Sequence, residues 1–256
     1  SQTIVSTMKP TYFFSVCLGF FLPAFYVLGA TKAKEEVADR NNLSLRNEVG
    51  RAIERGVKWI ANEQNATSGL WGDEEYPAIT GLSLRAILGD PARKSGDKYS
   101  VVLDKGYSFI LSKIQSDGGI YGKGLASYNT SICLMALLQR KQPEYKPVIL
   151  KARNFLINQQ HDFDSRGKND NIFDGGIGYG ARWAHSDLSN THLAMEALFY
   201  TKKMIETEEG DKLDLDWEAA IAFVEKCQNL PGNNKEKWVS EDPLDRGGFV
   251  YFPGSS

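Results

Sequence analysis

The sequence predicts an all-α protein made of helical hairpins stacked side by side. Three observations carry this expectation. Apolar residues recur at spacings of three and four, which places them on one helical face. Glycine-rich loops follow each such segment. The same residue order also returns four times along the chain, at intervals that suit one hairpin per copy.

The chain of 256 residues opens with a segment of different character. Residues 12–29 are almost wholly apolar, with Phe13, Phe14, Phe20, Phe21 and Phe25, and Lys9 precedes them. A short basic start, an apolar core and small residues at Gly29 and Ala30 read as a secretory signal over residues 1–30. Met8 begins such a signal naturally, so residues 1–7 read as an overcalled start or a cloning remnant. The alternative is an uncleaved membrane anchor, since about 18 apolar residues just span a bilayer. Pro23 interrupts the stretch and favours cleavage. Cys17 makes no lipobox, because Val16 stands where a small residue is needed. The expected location is therefore periplasmic or extracellular, or membrane-anchored where the segment stays. Residues 31–47 are charged, lack an apolar stripe until Leu43, and predict a linker or frayed helix.

About 210 residues follow, enough for one domain with a substantial core over 48–256. The first half of each repeat lines up a small residue, an aromatic three on, an aliphatic four on and a Gln eight on. The copies are Gly56, Trp59, Ile60, Gln64; Ala152, Phe155, Leu156, Gln160; and Ala220, Phe223, Val224, Gln228. Gly106, Phe109 and Ile110 form another copy, with Gln115 one position late. The aromatic anchors Trp59, Phe109, Phe155 and Phe223 lie 50, 46 and 68 residues apart, so insertions fall in the loops.

Loops follow at Gly69-Leu70-Trp71-Gly72, Gly118-Gly119-Ile120-Tyr121-Gly122, Gly175-Gly176-Ile177-Gly178-Tyr179-Gly180 and Gly247-Gly248-Phe249-Val250-Tyr251. Their glycines supply positive φ and close approach, and the aromatic is expected to plug the gap between helices. Second helices are expected to start at Thr80, Thr130 and Thr191, each with Leu or Ile two on and Ala six on. The last outer helix, from 217 to 228, has its loop but no inner partner, and its apolar face is expected to be uncovered.

This order of helices and loops resembles the prenyltransferase and squalene oxidase repeat of the terpenoid cyclase and protein prenyltransferase superfamily, which also includes complement-type thioester domains. The resemblance runs roughly from Glu48 to Ser256 and is strongest where Gly175-Gly176-Ile177-Gly178-Tyr179-Gly180 leads to Asp187-Leu188-Ser189-Asn190-Thr191, a stretch similar to squalene-cyclase-like repeat proteins. It implies an α/α toroid, with one ring of helices inside another. Closing such a ring needs more than the three complete hairpins and half of a fourth read here, so the chain is expected to be the front part of a longer protein. A partial ring that self-associates through the unpartnered fourth hairpin is the alternative.

The superfamily's chemical motifs are missing. Triterpene cyclases protonate substrate with Asp-x-Asp-Asp. Asp162-Phe163-Asp164 and Asp214-Leu215-Asp216 are nearest, and each lacks the last Asp. The second reads as a cap for the helix at Trp217. Prenyltransferase zinc needs an Asp-x-Cys element, absent here, and thioester domains need Cys-Gly-Glu-Gln, also absent. His185, Asp187 and His192 lie near one another in sequence, but the histidines are not spaced for one helical face, so no metal is expected. Asp162, Asp164, Gly167 and Asp170 fall at calcium-loop positions, yet Arg166 and Phe173 occupy ligand places, which favours a solvated insertion. Asp73-Glu74-Glu75 reads as the approach to a helix beginning near Pro77. No cofactor is expected.

The remaining functional signal lies at the inner-helix starts. Tyr76, Tyr128, Asn129, Arg182, Trp183, Asn190 and His192 combine aromatic and polar groups where toroids of the resembled superfamily open their cavity. Aromatic walls suit polyprenyl chains. The competing explanation is helix capping and inter-hairpin packing. Without Lys9's segment, 29 basic and 32 acidic residues remain, net −3, which gives no basic bias toward nucleic acid. Cys133 and Cys227 are then the cysteines left, expected as two buried thiols, with a disulfide as the alternative. The expected activity is binding of a hydrophobic or isoprenoid-type ligand, with cyclisation only where an acid motif lies beyond Ser256. The alternative is a non-catalytic extracytoplasmic scaffold for protein or polysaccharide.

Overall fold

The structure, a computed structural model, describes residues 28–93, 98–180, 185–206 and 213–255, with side chains from 42 onward. It is all-α: among the described residues there are seven α-helices and no strand, only isolated bridges. The chain divides into a unit over Ser1–Val49 and a unit over Gly50–Ser256. Of the first unit, the described part is helical and belongs to α1 (Leu28–Asn62). The tract 31–47, expected as linker or frayed helix, lies within α1, and its Leu43 and Leu45 are exposed. Nearly all of the expected signal or anchor segment falls outside the described residues. No described helix is long and apolar enough to cross a membrane.

In the second unit, α1 ends at Asn62 and is followed by α2 (Pro77–Leu88), α3 (Ser100–Ser112), α4 (Ala126–Arg140), α5 (Lys146–Ile157), α6 (Leu188–Glu206) and α7 (Trp217–Lys226). The inner helices form a row in which α4 packs against both α2 and α6. On the outside α3 lies against α2, α5 against α4 and α6, and α7 against α6. Leu84, Ile110, Ile120, Leu134, Leu137, Leu156, Ile177 and Leu198 form the fully buried core between the rows. Full burial of each such side chain contributes about 1.5–3 kcal/mol.

The start of α2 at Pro77 is where the sequence expected it, whereas α4 and α6 begin four and three residues before Thr130 and Thr191. Pro77, fixed near helical φ, begins α2. The threonines sit inside their helices and perform a different task. The Thr80 hydroxyl accepts from Trp71 N–H at 3.0 Å, Thr130 from Ile120 at 2.9 Å and Thr191 from Ile177 at 2.9 Å. Each binds the loop in front of it to the inner helix, which explains why Thr recurs at that place. The plug residues are Trp71, Ile120, Ile177 and Phe249, so the plug need not be aromatic; Phe249 alone of the four is exposed.

Backbone pairing sets the register of the four loops. Asn65, Gln115, His161 and Asn229 each donate N–H to a loop carbonyl, of Leu70, Gly119, Gly176 and Gly248, at 2.8–3.0 Å. Each also accepts from the glycine before it: Gly69, Gly118, Gly175 and Gly247. Those glycines have φ of +76°, +90°, +82° and +84°, the left-handed region that side-chain-bearing residues avoid. In this register Gln64, Gln160 and Gln228 are matched by Ile114, and Gln115 is matched by His161. Gln115 is thus not a displaced copy of the repeat glutamine; the second repeat replaces that glutamine with Ile114.

The glycines also lie directly on the next outer helix. A Cβ on Gly69 would come within 2.5 Å of Lys105 O, one on Gly118 within 2.8 Å of Lys151 O, and one on Gly175 would overlap Ala219 O. Each contacted residue precedes the small residue of the next copy: Gly106, Ala152 or Ala220. The outer aromatic covers the second loop glycine, since a Cβ on Gly119 would be 3.1 Å from the Phe155 ring and one on Gly176 2.8 Å from the Phe223 ring. The glutamines complete the junction. Gln64 Nε2 donates to Gly69 O and Val102 O at 2.8 Å, and Gln160 Nε2 donates to Gly175 O at 2.9 Å and Asp216 O at 2.8 Å.

Asp216 caps α7 as expected, accepting from Ala219 N–H at 3.0 Å. Asp214 instead pairs with the fully buried Arg153, which also donates to Thr201 Oγ1 at 3.0 Å. Burial alone would raise the Asp214 carboxyl. The Trp217 indole N–H, the Leu215 amide and the Arg153 and Lys202 cations outweigh it and hold the carboxyl below its ordinary value. Cys133 and Cys227 are free and buried, and burial pushes the first thiol up and the second up to about 12, so both stay protonated at neutral pH.

Two predictions follow from this packing. Gly175→Ala combines left-handed strain with overlap on Ala219 and should lower unfolding free energy by about 2–4 kcal/mol in urea titration. Gly247→Ala, which meets nothing within 4 Å, should cost only about 1 kcal/mol of backbone strain. The Asp214 carboxyl is depressed in the fold, so its contribution is complete above its unfolded pKa of about 4 and is lost as pH falls through the lower folded value. Asp214→Asn should therefore reduce stability at neutral pH and flatten the acid limb of the Tm–pH curve.

Candidate functional site

The described residues among those expected to line a cavity are distributed along the N-terminal ends of the inner helices rather than gathered in one pocket. Tyr76 precedes α2 and is exposed. Tyr128 packs its ring on Tyr179, with centroids 6.3 Å apart. Asn129 is fully buried: its Oδ1 accepts from Ala78 N–H at 3.0 Å, and its Nδ2 donates to Gly124 O and Leu125 O at 2.9 and 3.0 Å. Those bonds bind the start of α4 to the start of α2 and leave the amide nothing to offer a ligand. Asn190 is also buried and donates from N and Nδ2 to the two Asp187 carboxylate oxygens at 2.8 and 2.7 Å. Its Oδ1 is buried without a partner. Arg182 and Trp183 lie outside the described residues.

His192 is different, because it opens onto a groove of about 600 Å³ between α6 and α7. Leu188, Met195, Phe199, Trp217, Val224 and Phe249 make its walls, with Glu196 and Tyr200 beside them. Phe199, Tyr200 and Phe249 are exposed, an unusual concentration of aromatic surface. Glu196 is held by Arg85 at 3.5 Å, and Trp217 Nε1 donates to Asp214 at 3.0 Å, so these two polar groups at the rim are engaged.

The groove has a place in the repeat. Counting from Thr80, Thr130 and Thr191, His192 matches Gly81 and Ser131, and Met195 matches Leu84 and Leu134. A Cβ on Gly81 would lie 3.1 Å from Ile132 of the adjacent inner helix. Ser131, Leu84 and Leu134 are buried, whereas His192 is exposed and Met195 half-buried. The positions that α2 and α4 cover with a neighbouring helix are the positions that α6 presents to the groove.

A second cleft, of about 510 Å³, lies between the 161–174 insertion and the start of α7. The insertion is tied together by its own carboxylates. Asp162 accepts from Gly167 N–H, Asp170 from Ser165 N–H, Asp164 from Asn171 Nδ2, and the buried Asp174 from the Phe163 and Asn171 amides. Backbone and amide donors thus bond at least one oxygen of each of these carboxylates. Among the described residues no group of three or more His, Cys, Asp or Glu is placed to hold a metal.

His161 lines that cleft, and the sequence reading did not single it out. Ser186 Oγ donates to Phe173 O at 2.7 Å and so receives the proton of His161 Nδ1 at 2.9 Å. Burial, reinforced by His185, holds the imidazole below its usual pKa. At neutral pH it is an uncharged ring whose Nε2 is an acceptor. Its only sequence signal was its place after Gln160, where the other copies carry Asn65, Gln115 and Asn229.

No model of a known protein family matches the chain, and no curated protein is detectably similar to it. The described fold is all-α, with an open apolar groove between α6 and α7.

A histidine whose folded pKa is depressed stabilises the fold above its unfolded value of about 6.5 and ceases to do so as pH falls through the folded value. His161→Gln, which keeps a hydrogen bond toward Ser186, should remove part of the loss of Tm between about pH 7 and pH 5. An unchanged pH dependence would place the responsible group elsewhere.

Proposed function

We propose that this chain is a binding scaffold whose working surface is the apolar groove between α6 and α7. The observation that carries this reading is the repeat register, which makes the groove the counterpart of surfaces that α2 and α4 bury against another helix. Its walls supply dispersion contacts and desolvation. Such a surface holds an apolar body. Export through residues 1–30 would place this scaffold outside the cytoplasm.

A second reading is favoured by the groove's aromatic composition. Phe199, Tyr200, Trp217 and Phe249 around His192 also suit an isoprenoid-type chain, in keeping with the resemblance to the terpenoid cyclase repeat.

Binding of the fluorescent apolar probe anilinonaphthalene sulfonate separates these readings. Phe199→Ser with Tyr200→Ser should weaken probe binding about tenfold with little change in Tm, because both side chains are exposed. Displacement of the probe by farnesol, with isoprenoid lipid in the organic extract of the purified protein, supports the ligand reading. A lipid-free protein from which farnesol displaces nothing supports the scaffold. Probe binding unaffected by the double variant would remove the groove from both.

A further inference from the structure

Three Asn-x-Ser/Thr tripeptides occur in the chain: Asn42-Leu43-Ser44, Asn65-Ala66-Thr67 and Asn129-Thr130-Ser131. Each has the residue order that N-linked saccharide transfer requires, a carboxamide nitrogen with a hydroxyl two residues on. That order recurs by chance, so the surroundings of each carboxamide decide which one is able to serve.

Asn129 is closed to transfer. It is fully buried, it gives Nδ2 protons to Gly124 O and Leu125 O, and its Oδ1 holds Ala78 N–H. Asn42 is exposed but lies inside α1, whereas acceptors of this kind belong to surface loops. Asn65 is in such a loop, just beyond the end of α1, and residues 65–68 are all exposed. Its Oδ1 accepts from the Thr67 and Ser68 amides at 3.0 Å each. Only the oxygen of a carboxamide accepts from a backbone N–H, so those bonds fix which end is which and leave Nδ2 unbonded.

The loop register shows how unusual that free donor is. Gln115 and Asn229 occupy the same place in their loops, and they donate from the side chain to Tyr121 O at 2.7 Å and Asp245 O at 2.9 Å. The third counterpart, His161, donates to Ser186 Oγ at 2.9 Å. Three of the four positions spend their side-chain donor on the fold, and Asn65 does not.

Resting on the reading of residues 1–30 as an export signal, we propose that Asn65 is an N-glycosylation site, modified on the folded chain by transfer from a lipid-diphosphate-linked saccharide. Nδ2 attacks the anomeric carbon of the saccharide. The new N–C bond forms as the C–O bond to the diphosphate breaks; the diphosphate leaves with the electron pair, and one Nδ2 proton passes to a base of the transferase. The product keeps its carbonyl oxygen and one N–H. Oδ1 therefore still accepts from Thr67 and Ser68, and the loop is undisturbed. Transfer before folding would reach Asn129 as readily and prevent its bonds to Ala78, Gly124 and Leu125, so the fold requires that transfer follow folding.

The test is mass spectrometry of the full chain purified from its native host, with the host fractionated and the first residue of the purified chain read. Tryptic peptide 59–85 holds Asn65, 124–140 holds Asn129 and 41–46 holds Asn42. Peptide 59–85 should carry added saccharide mass, and the other two should have their unmodified masses. Thr67→Ala removes the hydroxyl but keeps the backbone N–H that Asn65 accepts, so this variant should fold with unchanged Tm and lose the saccharide entirely. Thr67→Ser should restore it. A saccharide retained by Thr67→Ala overturns the inference, as does one on 124–140 or 41–46 in place of 59–85. A bare 59–85 in chain recovered outside the cytoplasm overturns the modification and leaves export standing. A bare 59–85 in cytoplasmic chain that keeps residues 1–30 overturns both.

Discussion

The structure depends on one close contact made three times. A loop glycine in the left-handed region rests on the peptide backbone of the following outer helix, at Lys105, Lys151 and Ala219. A side chain at the glycine would overlap that backbone, and the positive φ would strain any other residue. Because backbone cannot move aside as a flexible side chain does, the contact fixes the spacing between hairpins. The residue after each contact, Gly106, Ala152 or Ala220, is small because the outer helix lies so near the inner row. After the second and third loops the aromatic at the next turn, Phe155 or Phe223, then finds the second loop glycine beneath it. Spacing, small residue and aromatic are consequences of a single steric arrangement.

Polar groups secure what the glycines position. A threonine hydroxyl within each inner helix takes a loop N–H that would otherwise be buried without a partner, which would cost about 1–3 kcal/mol. Gln64 and Gln160 connect their loops to the following outer helix, and Gln160 also accepts from Asp216 N–H at 3.0 Å. Where the glutamine is replaced by Ile114, the Gln115 side chain donates to Tyr121 O at 2.7 Å and closes its own loop. Buried Arg153 joins α5 to the end of α6 and the approach to α7, with Asp214 as its counterion.

Much of this was legible in the sequence. The helix class, the four outer copies and the four glycine loops follow from spacings of three and four and from glycine's freedom, and these are properties of neighbouring residues. The capping role of Asp216 and the buried thiols follow from local position and apolar context. The candidate site was less legible. Asn129 and Asn190 looked like cavity groups because a polar residue near a helix start has the same sequence signature whether it faces a ligand or another helix. His161 was overlooked because its partners, Ser186 and Phe173, are brought to it by the fold across an insertion. Thr130 and Thr191 were misplaced as helix starts because their hydroxyls bond to loops rather than to their own helix ends.

The sequence by itself determined which residues form helices, where the chain must turn left-handed, and that the hairpins are copies of one pattern, since each of these is a steric or periodic property of a short segment. Tertiary structure alone decided the register of the loops, the replacement of one glutamine by Ile114, the bonds between the insertion's carboxylates and its own donors, and the place of His192 at the edge of the apolar groove, whose uncovered face the repeat pattern had led one to expect beside the last outer helix. Those outcomes depend on distances between residues far apart in the chain.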